Sequence, residues 1–189
     1  MNTYRSLNKQ VFSSGKYSLV PIRFEDRYDI MQWRNEQIYH LRQTSPLTKE
    51  AQDAYFYNVV AKLFHQEKPS QILFSFLEGA VCIGYGGLVH VNWADKNAEV
   101  SFIMNTELEQ KYFSKLWTIF LQLLEKLAFD ELKLHKLYTI CFDLRPNLYG
   151  IIEKAGYIKE GRLKEQCLFN GEYRDVLLHG KIDTKSRRQ

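Results

Sequence analysis

The residues of this sequence with the most reactive side chains are its histidines and cysteines, and neither type forms a recognisable site by spacing. His40 and His90 each stand alone, and the His, Cys and Asp residues do not recur at the short intervals that metal ligands need. No Ser-His-Asp arrangement can be argued from spacing either. The sequence therefore predicts no metal site, and the identity of any catalytic group has to come from other features.

Two further features could be mistaken for functional motifs. The segment Gly84-Tyr85-Gly86-Gly87 is rich in glycine, but it lies inside a strand pattern and opens no helix, so it is not a dinucleotide-binding fingerprint. Cys82, Cys141 and Cys167 are far apart and flanked by apolar residues. Their odd number favours reduced thiols in a cytoplasmic protein over disulfides or zinc ligands.

Length and composition predict a single soluble globular domain. The chain has 189 residues, of which 45% are hydrophobic and 25% charged. The net charge is +4, and four positive charges fall within residues 181–189, so the body is nearly neutral and no nucleic-acid partner is expected. No apolar run reaches the roughly 18 residues of a membrane helix, and segment 1–14 lacks the basic and apolar blocks of a signal peptide. No membrane partner is expected.

The elements that would position any site follow from hydrophobic periodicity, which predicts an α/β (α+β) domain with a mixed, mostly antiparallel sheet flanked by helices. We expect an N-terminal extension at 1–15, the domain at 16–182 and a basic tail at 183–189. The predicted elements are a strand at 16–24, helices at 27–37 (capped by Asp26) and 48–66 (capped by Thr48), strands at 71–77, 81–93 and 98–105, a long helix at 112–129, a strand at 136–143, a short helix at 147–154 ended by Gly156, and a closing hairpin of 157–169 and 172–182.

This order of elements resembles the GNAT acetyltransferase superfamily over almost the whole chain, from 16 to 182. The local similarity is greatest in Val20-Pro-Ile-Arg-Phe-Glu-Asp26, Cys82-Ile-Gly-Tyr-Gly-Gly-Leu88 and Tyr149-Gly-Ile-Ile-Glu-Lys-Ala-Gly-Tyr157. The element Trp33-Arg34-Asn35 resembles the branch that acetylates ribosomal-protein N-termini and nucleotide-linked amino sugars.

The resemblance implies an N-acetyltransferase that uses acetyl-CoA as co-substrate and acetylates the primary amine of a small molecule. An amino-sugar nucleotide is the first expectation for the acceptor, and a protein N-terminus is the second. The alternative is a non-catalytic module of the same fold that binds a partner or metabolite. A homodimer is compatible with either interpretation.

The resemblance also implies where the cofactor would bind. The strand at 99–105 would splay from the strand at 136–143, and the pantetheine arm would lie against Phe102, Ile103 and Met104, which could otherwise be plain strand core. The pyrophosphate would lie over the start of the long helix, near Lys111, Ser114 and Lys115. Asn147 or Arg145 would contact the cofactor from the short helix.

The predicted phosphate loop departs from the family pattern at two positions. Glu109 replaces a polar or basic residue, and Tyr112 replaces a glycine that would allow the backbone to approach the phosphate. If the loop binds the anion, the ring of Tyr112 must point away, and Lys111 and Lys115 must supply compensating charge.

The catalytic and acceptor residues implied by the resemblance complete the prediction. Glu99 would be the general base, with an exposed strand carboxylate as the alternative interpretation. Ile152 stands where many relatives carry a tyrosine that protonates the leaving thiolate, so Tyr149 is the substitute candidate, unless it is a packed aromatic. The acceptor would contact Trp33, Arg34, Tyr39 and Tyr85, with His40, Arg42 and Phe169 as further candidates.

Overall fold

The computed structural model describes residues 2–41 and 43–184, and in this part of the chain eight strands form one sheet in the order β1-β2-β3-β4-β5-β6-β8-β7. The strands are β1 (Phe12–Ser14), β2 (Tyr17–Pro21), β3 (Ile72–Glu78), β4 (Val81–Asn92), β5 (Asn97–Met104), β6 (Lys136–Phe142), β7 (Ile158–Phe169) and β8 (Glu172–Ile182). The main helices are α1 (Arg27–Glu36), α2 (Lys49–Tyr55), α3 (Thr106–Glu125) and α4 (Pro146–Lys154). The predicted fold class is confirmed.

Two of the helices continue beyond these bounds. A π-helical turn at Phe56–Val60 and a helical turn at Ala61–Leu63 follow α2, and a π-helical segment at Lys126–Glu131 follows α3. Among the described residues no helix combines the length and the apolarity that crossing a membrane would require.

The pairing of β5 with β6 is the feature of the sheet that matters most for a site. The other neighbouring strands pair antiparallel, whereas β5 and β6 run parallel and pair only at Asn97–Lys136, Ala98–Leu137 and Glu99–Tyr138. Beyond Glu99 the two strands diverge. The sheet therefore splits at its centre, as predicted for these two strands, and leaves a cleft between them.

One layer of the hydrophobic core lies between the sheet and α3. The rings of Phe102 and Phe120 stack with their centroids 3.8 Å apart, and Trp117 meets the Phe102 ring edge-on at 4.9 Å. Because Phe102 is on β5, this aromatic cluster fixes the wall of the cleft to the long helix. Packed aromatic pairs add stability beyond the area they bury.

The N-terminal residues are part of the same core. Tyr4 is fully buried, its hydroxyl donates to the carbonyl of Leu73, and the amide of Leu73 donates back to that hydroxyl. Phe12–Ser14 adds β1 to the edge of the sheet. The residues expected to be an extension thus pack on the domain. Lys185, Arg187 and Arg188 of the expected basic tail lie outside the described residues.

The first helix begins at Arg27 as predicted, but its predicted cap is wrong, and so is the predicted start of the long helix. Asp26 is itself helical and its side chain caps no amide: its carboxylate accepts from Arg23 and from the hydroxyl of Ser75, a buried network that outcompetes a cap. The long helix begins at Thr106, six residues before the predicted start, because the side chain of Asn105 accepts from the amides of Glu107 and Leu108. The predicted cap at Thr48 is confirmed, since its side chain accepts from the amide of Ala51.

Candidate functional site

The cleft between β5 and β6 encloses a cavity of about 240 Å³. This volume lies below the range typical of drug-sized ligands, roughly 300–1,000 Å³, so the cleft encloses only part of a large ligand. Its lining comes from α1 and the turn after it, β4, β5, α3, β6 and the start of α4. The lining includes Arg34, His40, Leu41, Val89, His90, Glu99, Val100, Ser101, Phe102, Ile103, Trp117, Ile140, Cys141, Phe142, Arg145 and Leu148.

The cleft is suited to an extended ligand that carries amide groups. Phe102 and Ile103 line it, whereas Met104, the third residue predicted to contact the pantetheine arm, is fully buried and lies outside the lining. The carbonyl of Met104 instead accepts from the side chain of Gln37. Among the described residues, no strand pairing joins β5 to β6 beyond Glu99, so an extended chain in the cleft could hydrogen-bond to the strand edges in their place.

The start of α3 differs from an ordinary helix at Tyr112. The backbone of Tyr112 has φ −129° and ψ 20°, which are not helical values, so the helix consists of two parts joined by a kink. Tyr112 is 51% exposed. Lys111, Ser114 and Lys115 are also exposed, and in the described part of the chain neither lysine has a carboxylate partner.

A charged cluster lies between α3, α4 and the turn after α1. Arg145 forms an ion pair with Glu109, and the two side chains are only 12% and 14% exposed. Nη1 of Arg145 lies 3.1 Å from Nε2 of His40, and the guanidinium lies 4.9 Å from the centroid of the Phe113 ring. Burial raises the pKa of Glu109, and Arg145 opposes that increase. Burial and the Arg145 charge lower the pKa of His40 to about 3, so this imidazole is neutral at physiological pH.

The second titratable pair in the cleft joins β4 to β5. Nδ1 of His90 lies 2.7 Å from Oε2 of Glu99. The Glu99 side chain is 9% exposed and that of His90 is 60% exposed, so the carboxylate is deep in the cleft and the imidazole is at its mouth. Glu99, predicted as the general base, is therefore in the cleft, but with a histidine between it and solvent. Sequence reasoning missed this pair, because it depends on a bulge in β4 that has no sequence signature.

Two residues of α4 that are predicted from the sequence to lie at the site, Tyr149 as a catalytic residue and Asn147 as a cofactor contact, do not line the cleft. The hydroxyl of Tyr149 lies 3.0 Å from Oδ1 of Asp143 and 3.2 Å from the carbonyl of Phe142, and its ring stacks on His179. Burial, reinforced by Asp143, raises the pKa of Tyr149, so the phenol holds its proton more tightly than a free tyrosine. Its role as the proton donor stays a prediction. Asn147 is exposed in the first turn of α4 and contributes nothing to the cleft lining.

The predicted acceptor residues divide into two groups. Arg34 lines the cleft, where Nη1 donates to the hydroxyl of Tyr85 at 2.6 Å and Nε donates to Oε1 of Gln43 at 3.1 Å. Tyr39 is exposed, with its ring edge-on to that of His40. Trp33, by contrast, is buried in the core, because the apolar side of α1 faces the sheet.

Two further candidates from the sequence do not join this group. Phe169 is half-buried at the end of β7, where it pairs with Glu172 next to the hairpin turn, and it does not line the cleft. Arg42 lies outside the described residues. Within the described ranges, no group of His, Cys, Asp and Glu side chains could hold a metal ion.

Comparison with known proteins points to the same fold. Residues 19–178 match the family described as an acetyltransferase (GNAT) domain. The spermidine N(1)-acetyltransferase of Vibrio cholerae serotype O1 is 32% identical over 94 residues, which are 50% of this chain and 53% of that protein. The chain thus matches about half the length of this curated relative.

Solved structures of similar proteins can be superposed on more of this chain than the curated relative covers. The spermidine N-acetyltransferase from Vibrio cholerae in complex with CoA and spermine has a TM-score of 0.77 at 21% identity, covering 91% of this chain and 98% of that one. A dodecameric structure of the spermidine N-acetyltransferase from the same organism has a TM-score of 0.74 at 22% identity, covering 92% and 97%. At these identities the structures establish the shared fold. Since the family match spans most of the sequence, this chain belongs to the GNAT acetyltransferase family.

Proposed function

We propose that this protein is an N-acetyltransferase that transfers an acetyl group from acetyl-CoA to the primary amine of a small molecule. The observation that carries the proposal is the cleft between the parallel strands β5 and β6, which pair at only three positions and then diverge. Such a cleft can hold an extended thioester-bearing arm through its own strand edges. The structure of a similar protein with CoA and spermine bound supports this assignment.

In this proposal the acyl donor occupies the cleft from its α3 end. Phe102 and Ile103 contact the pantetheine arm, and backbone amides at the end of β5 stabilise the oxyanion that forms on the thioester carbonyl. The pyrophosphate lies at the kink in α3, close to Lys111, Ser114 and Lys115. The exposed ring of Tyr112 leaves room for an anion there, and the lysines provide charge that no carboxylate in the described chain neutralises.

The phosphate placement predicts a salt-dependent loss of cofactor affinity. Replacing Lys111 and Lys115 together with alanine should raise the Kd for acetyl-CoA about tenfold at an ionic strength of about 0.01 M, and much less at about 1 M, because exposed charges are screened. Calorimetric titration measures both values. Lys126 and Lys159, which are exposed and remote from the cleft, make the matched control pair. Equal affinity of the wild type and the Lys111/Lys115 double variant at low salt would place the pyrophosphate elsewhere.

The acceptor enters from the side of Arg34. In the described chain no carboxylate pairs with this guanidinium, which donates to the neutral side chains of Tyr85 and Gln43. A positive charge at the acceptor end favours an amine that also carries an anionic group, such as an amino-sugar nucleotide. A polyamine is the second candidate acceptor, because the 32%-identical relative is a spermidine acetyltransferase. A protein N-terminus, and a homodimeric assembly, stay predictions.

The charge at Arg34 separates the two acceptor classes. Replacing Arg34 with glutamine should raise the KM of an amino-sugar nucleotide about tenfold, since a charge-assisted contact to phosphate is lost. The same change should leave the KM of spermidine unchanged or lower it, since a like charge is removed. Acetyl transfer to spermidine, an amino-sugar nucleotide and a peptide with a free N-terminus tests both statements.

The same panel tests the proposed activity itself. Turnover of any amine with acetyl-CoA supports it. No turnover of the panel, together with no calorimetric binding of acetyl-CoA, would instead indicate a non-catalytic module of this fold.

A further inference from the structure

We propose that His90 is the general base that deprotonates the acceptor amine, and that Glu99 is the residue that positions it. This inference rests on the proposed function and goes one step beyond it, because the base predicted from the sequence is Glu99 alone. Three observations carry it: the backbone at His90, the contact between His90 and Glu99, and the difference in exposure between the two side chains.

The backbone places His90 in an unusual conformation. Its φ is +50°, in the left-handed region that side chains other than glycine rarely adopt. The residue lies at a bulge, where the β4–β5 register shifts between Val89–Glu99 and Asn92–Asn97. Bulges re-aim side chains and are frequent beside active sites. Here the bulge turns an imidazole toward a carboxylate on the neighbouring strand.

The contact with Glu99 fixes the form of the imidazole. With Oε2 of Glu99 at 2.7 Å, Nδ1 carries the proton and donates it, so the lone pair of the neutral ring is on Nε2. Among the described residues, Nε2 has no hydrogen-bond partner. The carboxylate also stabilises the imidazolium that forms when Nε2 takes a proton. This arrangement, with a base oriented by a buried acid, is the one used by catalytic dyads and triads.

The difference in side-chain exposure indicates that the acceptor amine contacts His90 rather than Glu99. The Glu99 side chain is almost completely covered, and the half-open imidazole stands between it and the mouth of the cleft. An amine that approaches from the acceptor side reaches Nε2 first. Glu99 thus acts through His90 rather than on the substrate.

The reaction balances with these two residues. Nε2 of His90 takes a proton from the ammonium form of the acceptor, and the free amine attacks the thioester carbonyl carbon. A C–N bond forms, the tetrahedral intermediate collapses, and the C–S bond breaks. The second amine proton passes to the departing thiolate to give CoA, and His90 returns its proton to water.

Other charged or titratable groups also face the cleft, and each of them could contribute to the pH dependence of kcat/KM. Arg34 lies on the α1 side and Arg145 at the start of α4, and both stay cationic throughout the working range. Tyr138 on β6 pairs with Glu99 across the parallel strands. His40 is the other histidine in the lining, and its pKa of about 3 removes it as the source of a transition near neutral pH.

The test compares His90→Asn with Glu99→Gln and with the matched control His65→Asn. Asparagine tolerates the left-handed backbone at position 90, so the variant should keep the fold, which thermal unfolding and the Kd for acetyl-CoA verify. His65 is exposed and remote from the cleft. We expect His90→Asn to lower kcat/KM by roughly 10²–10³-fold and to remove the rise of kcat/KM with pH, while His65→Asn changes neither.

The Glu99→Gln variant separates a positioning role from direct catalysis. If His90 is the base, Glu99→Gln should lower kcat/KM only about tenfold, and the rise of kcat/KM with pH should persist, because the imidazole is still present. Wild-type kcat/KM in His90→Asn, or a Glu99→Gln variant that loses the transition altogether while His90→Asn keeps it, would overturn the inference. A wild type that acetylates no amine would count against the proposed function instead.

Discussion

Alanine in place of Gly86 is expected to reduce the free energy of unfolding by about 3 kcal/mol. A Cβ atom at this position would lie 2.1 Å from the carbonyl oxygen of Ser101, 2.8 Å from Cα of Phe102 and 2.9 Å from the ring of Phe120. Two of these atoms belong to the β5 backbone and cannot rotate away. The strands β4 and β5 would have to separate, and the aromatic stack behind the cleft would have to shift with them. Urea denaturation measures the loss.

The control is an alanine at Gly150, in the middle of α4. A Cβ there meets nothing within 4 Å, and a helical glycine costs up to about 1 kcal/mol relative to alanine. Gly150→Ala should therefore stabilise the protein, so the two identical substitutions have opposite signs. Because Phe102 lines the cleft, Gly86→Ala should also weaken acetyl-CoA binding. Wild-type stability in Gly86→Ala would show that β4 and β5 can separate at little cost, contrary to the close packing seen here.

Elements with strong local signals could be predicted from the sequence. The pair Asn170-Gly171 marks the closing hairpin, and both residues have the positive φ values, 49° and 78°, that a tight hairpin turn of this kind requires. Pro146 opens α4 and Gly156, with φ +91°, follows its end. In each case one or two residues determine the backbone locally, so periodicity and turn chemistry are sufficient.

The features that define the site depend on contacts between distant residues. The kink at Tyr112 and the bulge at His90 follow from how the elements pack, and neither has a local signal. The start of α3 does have a local signal, since Asn105 is a typical cap and the acidic residues Glu107 and Glu109 follow it, but the strand pattern that precedes Asn105 runs directly into this start. Family resemblance gave the location of the cleft, whereas the side chains that meet inside it required the three-dimensional structure.

The ion pair between Glu109 and Arg145 is also a contact between distant residues. Breaking it is expected to cause a large loss in the free energy of unfolding. Replacing Arg145 with glutamine leaves the Glu109 carboxylate buried without its counter-charge. Removing one partner of a buried pair typically costs 3–5 kcal/mol, and the slight exposure of this one places the expected loss near the lower limit, about 3 kcal/mol at about pH 8. Urea denaturation of the wild type and the variant gives the difference.

The loss in the Arg145→Gln variant should shrink as the pH falls. The pKa of Glu109 is raised in the folded protein, so over that window the native state binds more protons than the unfolded state, and stability decreases as pH rises through it. Without Arg145 the pKa of Glu109 rises further and the window widens. Burial and the Arg145 charge lower the pKa of His40 in the folded protein, so the wild type loses stability as the pH falls below the pKa that His40 has in the unfolded chain. Without Arg145 the pKa of His40 is lowered less, so the variant loses less stability at low pH. Both effects make the variant closer to the wild type at about pH 5 than at about pH 8.

A second substitution distinguishes the charge effect from lost packing around Phe113 and His40. Glu109→Gln in the Arg145→Gln background removes the stranded carboxylate, so the double variant should regain most of the lost stability, to within about 1 kcal/mol of the wild type. Its stability should also depend less on pH than that of Arg145→Gln alone, because the buried carboxylate that titrates is gone. A double variant as unstable as Arg145→Gln alone would mean that the arginine stabilises this end of the cleft through its contacts with Phe113 and His40, and that the ion pair contributes little.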